Sequence, residues 1–231
     1  MRNGTKVDNM DKERFKRKYL ILEAHLDDFE IGMSAWLHKV SSYPTEITLV
    51  TFCSGRGNTE EDLKRLQYRE ENLKKFKAWY PNISIENIKI GMVDTRMDTA
   101  SISTIIASLY AKIKHFDINE YKEIYIHQAD LHPDHEIVNK IGKIITRSFK
   151  GKVFEYLITN SGFMSDKAAY NTEIKVEYKF KDENYSKKFI YPCLFPTEKT
   201  SLQQTLYGQK SFDGKYISDK FNLIKDIFVV N

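Results

Sequence analysis

Short apolar runs alternate with longer amphipathic segments from residue 18 to about 160. A short apolar run predicts a buried strand, whereas apolar residues that recur every three or four positions predict a helix. The runs cover 19–22, 47–52, 85–90, 123–127 and 153–159, and the helical stripes cover 29–40, 63–80, 105–113 and 137–149. This alternation favours βαβ units with right-handed crossovers. We therefore expect an α/β fold with a doubly wound, mostly parallel sheet and helices on both of its faces.

The pattern changes after residue 165. Residues 173–180 alternate charged with apolar or aromatic side chains, which predicts a half-buried antiparallel strand. A further helix is predicted over 200–209. We interpret the whole chain, 1–231, as one domain. It comprises a basic arm over 1–17, an α/β core over 18–160 and a C-terminal antiparallel cap region over 165–231.

Composition excludes several classes of function. The chain has 36 Lys and Arg against 32 Asp and Glu, and the two signs are mixed along it. Because a nucleic-acid-binding protein usually has a clustered basic face, we expect no nucleic-acid partner. No uncharged apolar run approaches the ~18 residues that span a bilayer, and the charged first residues lack the apolar core of a signal peptide. We expect a soluble, cytoplasmic protein without a membrane span.

A first polar cluster, His25-Leu26-Asp27-Asp28, follows the first predicted strand. In an open α/β sheet, ligands bind at the carboxyl ends of the strands. A histidine and two carboxylates at that edge can supply metal ligands together with an unligated base. Asp27 and Asp28 have a second interpretation, because either can cap the helix that follows.

A second polar cluster covers residues 127–135, directly after the fourth predicted strand. It contains three histidines, His127, His132 and His135, and two aspartates, Asp130 and Asp134. The cluster opens a helix at the same predicted sheet edge as the first one. Two neutral imidazoles and one carboxylate suit Zn²⁺ with one position left open for water.

The two clusters together resemble the motifs of the PIG-L/LmbE family of zinc-dependent N-acetyl-sugar deacetylases (GlcNAc-PI de-N-acetylases). That family typically reads A-H-P-D-D and H-P-D-H, and this chain has Ala24-His25-Leu26-Asp27-Asp28 and His132-Pro133-Asp134-His135. The similarity covers roughly residues 18–160. It implies a Rossmann-like, LmbE-like deacetylase domain that hydrolyses the N-acetyl group of a small-molecule 2-acetamido sugar or sugar conjugate. A nucleotide-linked sugar is one such conjugate.

The resemblance also implies roles for individual residues. His25, Asp28 and His135 would hold the metal, which is zinc or alternatively ferrous iron, and a water on that metal would be the nucleophile. Asp27 would be the general base, and His132 would steady the oxyanion. Matching further motif positions implies a substrate-binding arginine and aspartate at Arg69 and Asp94. Asp130 or Asp134 could orient a histidine from behind the metal ligands.

Two features depart from the family pattern and leave alternatives open. Leu26 stands in place of the usual proline, and Phe29 stands where many members have glutamate. One alternative comes from the spacing His25-x-Asp27 with a distant histidine, which is also the 2-His-1-carboxylate ligand set of a non-haem Fe(II) oxygenase, in which Asp27 would bind the metal. Another is a non-catalytic, sugar-binding member of the same fold. The sequence leaves the sugar and the oligomeric state open, a homo-oligomer included.

Overall fold

The computed structural model describes residues 16–57, 59–113, 116–129, 132–157, 174–180 and 224–230. Its strands are β1 (Arg17–Glu23), β2 (Thr45–Cys53), β3 (Ile83–Met92), β4 (Glu123–His127), β5 (Lys152–Leu157), β6 (Ile174–Phe180) and β7 (Ile224–Val230). Its α-helices are α1 (Asp28–Gly32), α2 (Ser34–Val40), α3 (Glu60–Trp79), α4 (Ile102–Lys112) and α5 (Pro133–Ile145). Short 3₁₀ turns cover Met97–Thr99, Ile118–Glu120 and Thr146–Ser148.

These strands form one sheet in the order β3-β2-β1-β4-β5-β7-β6. Neighbours from β3 to β5 are parallel, and β7 pairs antiparallel with both β5 and β6. The predicted doubly wound, mostly parallel α/β fold is confirmed, as is the antiparallel strand after residue 165. The two antiparallel strands extend the main sheet beside β5.

The order in which the chain adds strands to the sheet reverses at β1. From β1, the chain proceeds to β2 and β3 on one side, and then crosses to β4 and β5 on the other. Leu20 of β1 is in register with Thr48 of β2 and with Ile124 of β4. Such a reversal opens a crevice at the carboxyl ends of the two strands, where α/β proteins bind ligands.

Helices cover both faces of the sheet because successive residues of a strand point to opposite sides. One face buries Tyr19 and Ile21 of β1 against residues of α1, α2 and α3. The other face buries Leu20 and Leu22 against residues of α4 and α5. Both faces of β1 are therefore buried away from water, which accounts for its continuous apolar sequence.

The helix predicted over 29–40 is two short helices, α1 and α2. The break lies at Met33, whose backbone has φ −132° and ψ 15°. Gly32 and Ser34 flank it, and both residue types have weaker helix propensity than alanine or leucine. The apolar spacing was correct across the break because Phe29, Met33 and Trp36 all enter the same core.

Other element boundaries differ from the sequence prediction by a few residues. Helix α5 ends at Ile145, and a 3₁₀ turn follows it before Phe149. Strand β7 was not predicted at all. The helix predicted over 200–209 and most of the basic arm lie outside the described residues. No helix within the described ranges combines the length and apolar character needed to cross a membrane.

Helix α5 lies very close to β4 at Gly142. A Cβ atom at this position would be 2.5 Å from Cγ2 of Ile126 and 3.0 Å from its Cβ. Ile126 is fully buried, so it has no room to move aside. The absence of a side chain at 142 therefore lets α5, with His135 in its first turn, approach the end of β4.

We expect Gly142→Ala to lower the free energy of unfolding, measured by urea denaturation. Alanine normally favours a helix over glycine by about 1 kcal/mol. Overpacking a full core costs about 1–3 kcal/mol and should outweigh that gain. In an Ile126→Ala background, which removes the methyl group at 2.5 Å and keeps only the Cβ at 3.0 Å, the cost of Gly142→Ala should become much smaller. A variant as stable as the wild type without that second change would contradict the close approach.

Candidate metal centre

The two polar clusters meet at the carboxyl ends of β1 and β4. His25 lies two residues after β1, and Asp28 begins α1. His127 ends β4, and His135 lies in the first turn of α5. All four side chains are buried. The two clusters share one sheet edge, as expected, because β1 and β4 are adjacent parallel strands.

Donor atoms of His25, Asp28 and His135 lie close to one another in pairs, with a different Asp28 oxygen nearest each ring. His25 Nδ1 lies 3.2 Å from His135 Nε2 and 3.7 Å from Asp28 Oδ2. His135 Nε2 lies 3.8 Å from Asp28 Oδ1. Tetrahedral zinc ligands at their usual bond lengths stand about 3.4 Å from one another. Two buried imidazole nitrogens at this separation need a shared proton or a cation between them, so the residues fit a divalent ion.

The described residues offer overlapping sets of donors for such an ion. In each set, the donor atoms all lie within 4.8 Å of one another. The sets are His25 with His132 and His135; His25 with Asp94, His132 and Asp134; and Asp28 with His127 and His135. His25, His132 and His135 each occur in two of the three sets, so these three rings form the centre of the candidate site.

Asp134 fixes the orientation of the His25 ring. Its Oδ2 lies 3.1 Å from His25 Nε2, so Nε2 donates its proton to the carboxylate and Nδ1 keeps a lone pair for a metal. Backbone N–H groups of Thr95 and Met97 donate to the same carboxylate. Of the two aspartates considered from the sequence, Asp134 lies against a histidine, and Asp130 lies outside the described residues.

Thr95 has an unusual backbone conformation beside Asp134. Its φ is 63°, a region that residues with branched Cβ atoms rarely adopt. Its N–H lies 2.6 Å from Asp134 Oδ2. The strained backbone thus directs a donor at the carboxylate that orients His25, a pattern typical of functional sites.

Charge is concentrated in this small volume. Burial raises the pKa of Asp28, but the imidazoles around it, His135 first, hold that pKa well below its usual value. Burial lowers the pKa of His25, but hydrogen bonds to carboxylates, Asp134 first, raise it well above its usual value. The carboxylates that stabilise a positive ring at position 25 would equally stabilise a metal cation there.

Asp27 lies beside the donors but belongs to none of the ligand sets found among the described residues. Its Oδ1 lies 3.4 Å from Arg65 Nη2, and both side chains are almost fully buried. Burial raises the pKa of Asp27, and the Arg65 guanidinium partly offsets that rise. The structure therefore places the Asp27 carboxylate next to Asp28 but outside these donor sets.

His132 is half-buried and lies over the His25 ring, with 4.7 Å between the ring centroids. Its Nδ1 accepts a hydrogen bond from the backbone N–H of Asp134 and so caps α5. A neutral His132 ring therefore carries its proton on Nε2. Burial lowers the pKa of His132, and the neighbouring positive rings, His25 first, add to that effect.

The two residues expected to bind substrate occupy different environments. Asp94 lies beside the donors, with Oδ1 3.3 Å from His25 Nε2 and Oδ2 3.7 Å from Arg56 Nε. Arg69 is fully buried. It pairs with Glu23 and Glu30 at 2.9 and 3.0 Å and donates to the Leu26 carbonyl. Arg69 therefore has no surface open to a substrate in this structure, which differs from the direct substrate contact that the resemblance implied.

Two residues with no role predicted from the sequence, His127 and Arg65, lie in the centre. His127 stacks on His135 with 3.8 Å between the ring centroids, and its Nδ1 lies 2.7 Å from the Gln128 carbonyl. Arg65 contacts Asp27. Arg65 stands four residues before Arg69 on α3, so helical spacing was the available signal for it. For His127, the signal was its place in the second cluster.

Comparison with protein families gives a match over residues 20–146, more than half of the chain, to PIG-L, GlcNAc-PI de-N-acetylase. The chain belongs to the PIG-L family. The matched range of the PIG-L domain contains both polar clusters and the strands and helices from most of β1 through α5. Comparison with curated protein sequences gives no match.

Solved structures of low sequence identity share the fold of this PIG-L domain protein. The A40926 pseudoaglycone deacetylase has 14% identity and a TM-score of 0.54, over 93% of this chain and 97% of that one. The N,N'-diacetylchitobiose deacetylase from Pyrococcus horikoshii has 13% identity and a TM-score of 0.55, over 93% and 84%. A zinc-inhibited form of a teicoplanin deacetylase has 10% identity and a TM-score of 0.55, over 93% and 98%.

We expect the wild-type protein to bind about one Zn²⁺ per chain and His135→Ala to bind it far more weakly. The variant removes one of the two imidazoles expected to hold the metal. Affinity would be measured by competition with a chromophoric chelator, with His38→Ala as the control because His38 is exposed on α2, away from the centre. Equal zinc affinity in His135→Ala and His38→Ala would show that the donors do not form the site.

Proposed function

We propose that this chain is a metal-dependent hydrolase that removes the N-acetyl group from a 2-acetamido sugar or sugar conjugate. The observation that carries this proposal is the juxtaposition of His25, Asp28 and His135 with Asp27 beside them. Three metal donors and an adjacent carboxylate outside the donor set suit the hydrolysis of an unreactive amide. Membership of the PIG-L family supports the same reaction class.

His25, Asp28 and His135 would hold the metal, with zinc favoured by the two-imidazole, one-carboxylate set. When bound, a divalent ion of this kind supplies Lewis acidity, which lowers the pKa of water and polarises a carbonyl oxygen. One similar solved structure is a zinc-inhibited deacetylase, which supports a divalent ion in this fold. Ferrous iron remains the alternative for the same donors.

Asp27 would act as the general base. It takes a proton from the attacking water as a C–O bond forms at the acetyl carbon. It then delivers that proton to the amide nitrogen as the C–N bond breaks, so that acetate and a free amine leave. Its neighbour Arg65, 3.4 Å away, would hold the carboxylate in one orientation throughout.

His132 would donate a hydrogen bond to the carbonyl oxygen as negative charge develops there. Because the Asp134 N–H occupies Nδ1, the Nε2–H of a neutral His132 ring is the available donor. A donor directed at a developing oxyanion commonly contributes about 3 kcal/mol to transition-state stabilisation. The resemblance implied this role for His132. Because His132 Nδ1 caps α5, a neutral ring donates from Nε2 and needs no second proton.

Asp94 and Arg56 would contact the sugar. Asp94 lies beside His25, whereas the Arg56 side chain is half exposed and reaches Asp94 from the solvent side. A carboxylate and a guanidinium on the solvent side of the centre can hydrogen-bond to sugar hydroxyl groups, and the guanidinium can also bind an anionic substituent. An N,N'-diacetylchitobiose deacetylase is among the similar solved structures, and its name states an acetylated saccharide substrate.

The oxygenase alternative gains no support from the structure. It requires Asp27 as the metal-binding carboxylate, but Asp28 is the carboxylate that faces both His25 and His135. The doubly wound α/β sheet also differs from the all-β fold expected for such oxygenases. A non-catalytic sugar-binding role is separated from the proposed one only by measuring turnover.

We expect Asp27→Asn to lower the rate of amine release about 10²- to 10⁴-fold, because the amide cannot accept the proton from water. Its zinc content should stay at the wild-type level, since Asp27 lies outside the donor sets. Asp117→Asn, in an exposed turn, is a matched control. Rates would be measured on the acetamido sugar or nucleotide sugar that gives the fastest release in a screen.

Two results would contradict the proposal. Loss of zinc from Asp27→Asn would show that this carboxylate is a ligand. A zinc-loaded wild-type protein that frees no amine from any acetamido sugar or conjugate would favour a binding role.

A further inference from the structure

The segment 24–28 carries three residues of the centre and is held from several directions. Asp28 Oδ2 accepts hydrogen bonds from the backbone N–H groups of Ala24 and His25, at 2.9 and 2.8 Å. The Ala24 carbonyl accepts from the Cys53 N–H at 2.7 Å. These contacts fix the two ends of the segment and leave its middle residue, Leu26, to be held by other groups.

Arg69 supplies that middle contact. Its Nη2 donates to the Leu26 carbonyl and lies 2.9 Å from Glu23 Oε2 and 3.0 Å from Glu30 Oε2. The carboxylates belong to the residue that ends β1 and to a residue of α1, on opposite sides of the segment. One buried nitrogen thus joins α3 to both flanks and to the centre of the segment.

Glu23 extends the contact into the sheet. Its Oε2 also accepts the backbone N–H of Phe29 at 3.0 Å, and its Oε1 accepts the Thr51 hydroxyl of β2 at 2.5 Å. Asn87 of β3 donates to Thr51 Oγ1 at 2.7 Å. The segment is therefore anchored to three adjacent strands through side chains that the reaction itself does not use.

We propose that Arg69 is a positioning residue: by holding the Leu26 carbonyl against Glu23 and Glu30, it fixes the geometry of His25, Asp27 and Asp28. This inference rests on the proposed metal site and deepens it. Arg69 acts from beneath the segment, with no exposed surface, instead of contacting the substrate. A buried cation between two carboxylates resists displacement because each charge would be left without compensation.

The test compares Arg69→Met with Arg69→Lys in the metal-free and zinc-loaded protein. We expect Arg69→Met to weaken zinc binding about 10- to 100-fold, the usual effect of removing a group that orients metal ligands. Amide hydrogen exchange at His25 and Phe29 should accelerate in the metal-free variant. Arg69→Lys keeps one buried ammonium near the same three oxygens and should restore a large part of both properties.

Two controls separate positioning from general loss of stability. Lys74→Met removes an exposed positive charge from the same helix and should change neither property. Leu109→Ala removes a fully buried side chain of α4 on the opposite face of the sheet. It should lower the melting temperature while leaving zinc affinity and exchange in the segment 24–28 unchanged. If Arg69→Met does not fold, zinc affinity and amide exchange are compared between Arg69→Lys and Leu109→Ala instead.

Two outcomes would overturn the inference. Zinc affinity and amide exchange within twofold of wild type in Arg69→Met would show that Arg69 does not position the segment. A raised KM with unchanged zinc affinity would show that Arg69 reaches the substrate. Zinc affinity and amide exchange do not depend on turnover, so a protein that binds zinc but frees no amine would refute the proposed function and leave these two readouts intact.

Discussion

The parallel pairing of β1 with β4 is the constraint on which the centre depends. Strands that are adjacent in a parallel sheet end about 4.8 Å apart at one edge, whatever their separation along the chain. This pairing brings His25 and His135, 110 residues apart, to 3.2 Å between ring nitrogens. Gly142 contributes because it allows α5 to lie against Ile126 of the same strand.

Electrostatic compensation explains why so many charged groups are buried together. Asp27, Asp28, Asp94 and Asp134 are all buried within one crevice, and an isolated buried carboxylate is costly. Imidazoles face Asp28, and an arginine faces Asp27. Backbone N–H groups face Asp134. A divalent cation bound at the proposed site would compensate the remaining negative charge.

Local patterns predicted most of the fold because the central strands are apolar and most helices keep one apolar stripe. Helix α3 is the exception, since most of its buried positions are polar or charged and Leu63 of its predicted stripe is exposed. The motifs also predicted that His25, Asp28 and His135 would meet, since parallel strands leave their loops at one edge. The split between α1 and α2 depends on a single backbone conformation at Met33, which apolar spacing does not encode. The burial of Arg69 could not be predicted, because a charged residue on a helix is usually exposed. Its partners Glu23 and Glu30 are distant in sequence.

Leu26 shows how a motif departure can be accommodated. Proline at this position would restrict the backbone by fixing φ and limiting the residue before it. Leucine removes that restriction, but its side chain is fully buried and its carbonyl accepts a hydrogen bond from Arg69. In this chain, packing and a contact from another helix restrain residue 26. Since a tertiary contact acts only once α3 is docked, the ligand geometry here depends on the folded core more than it would with proline.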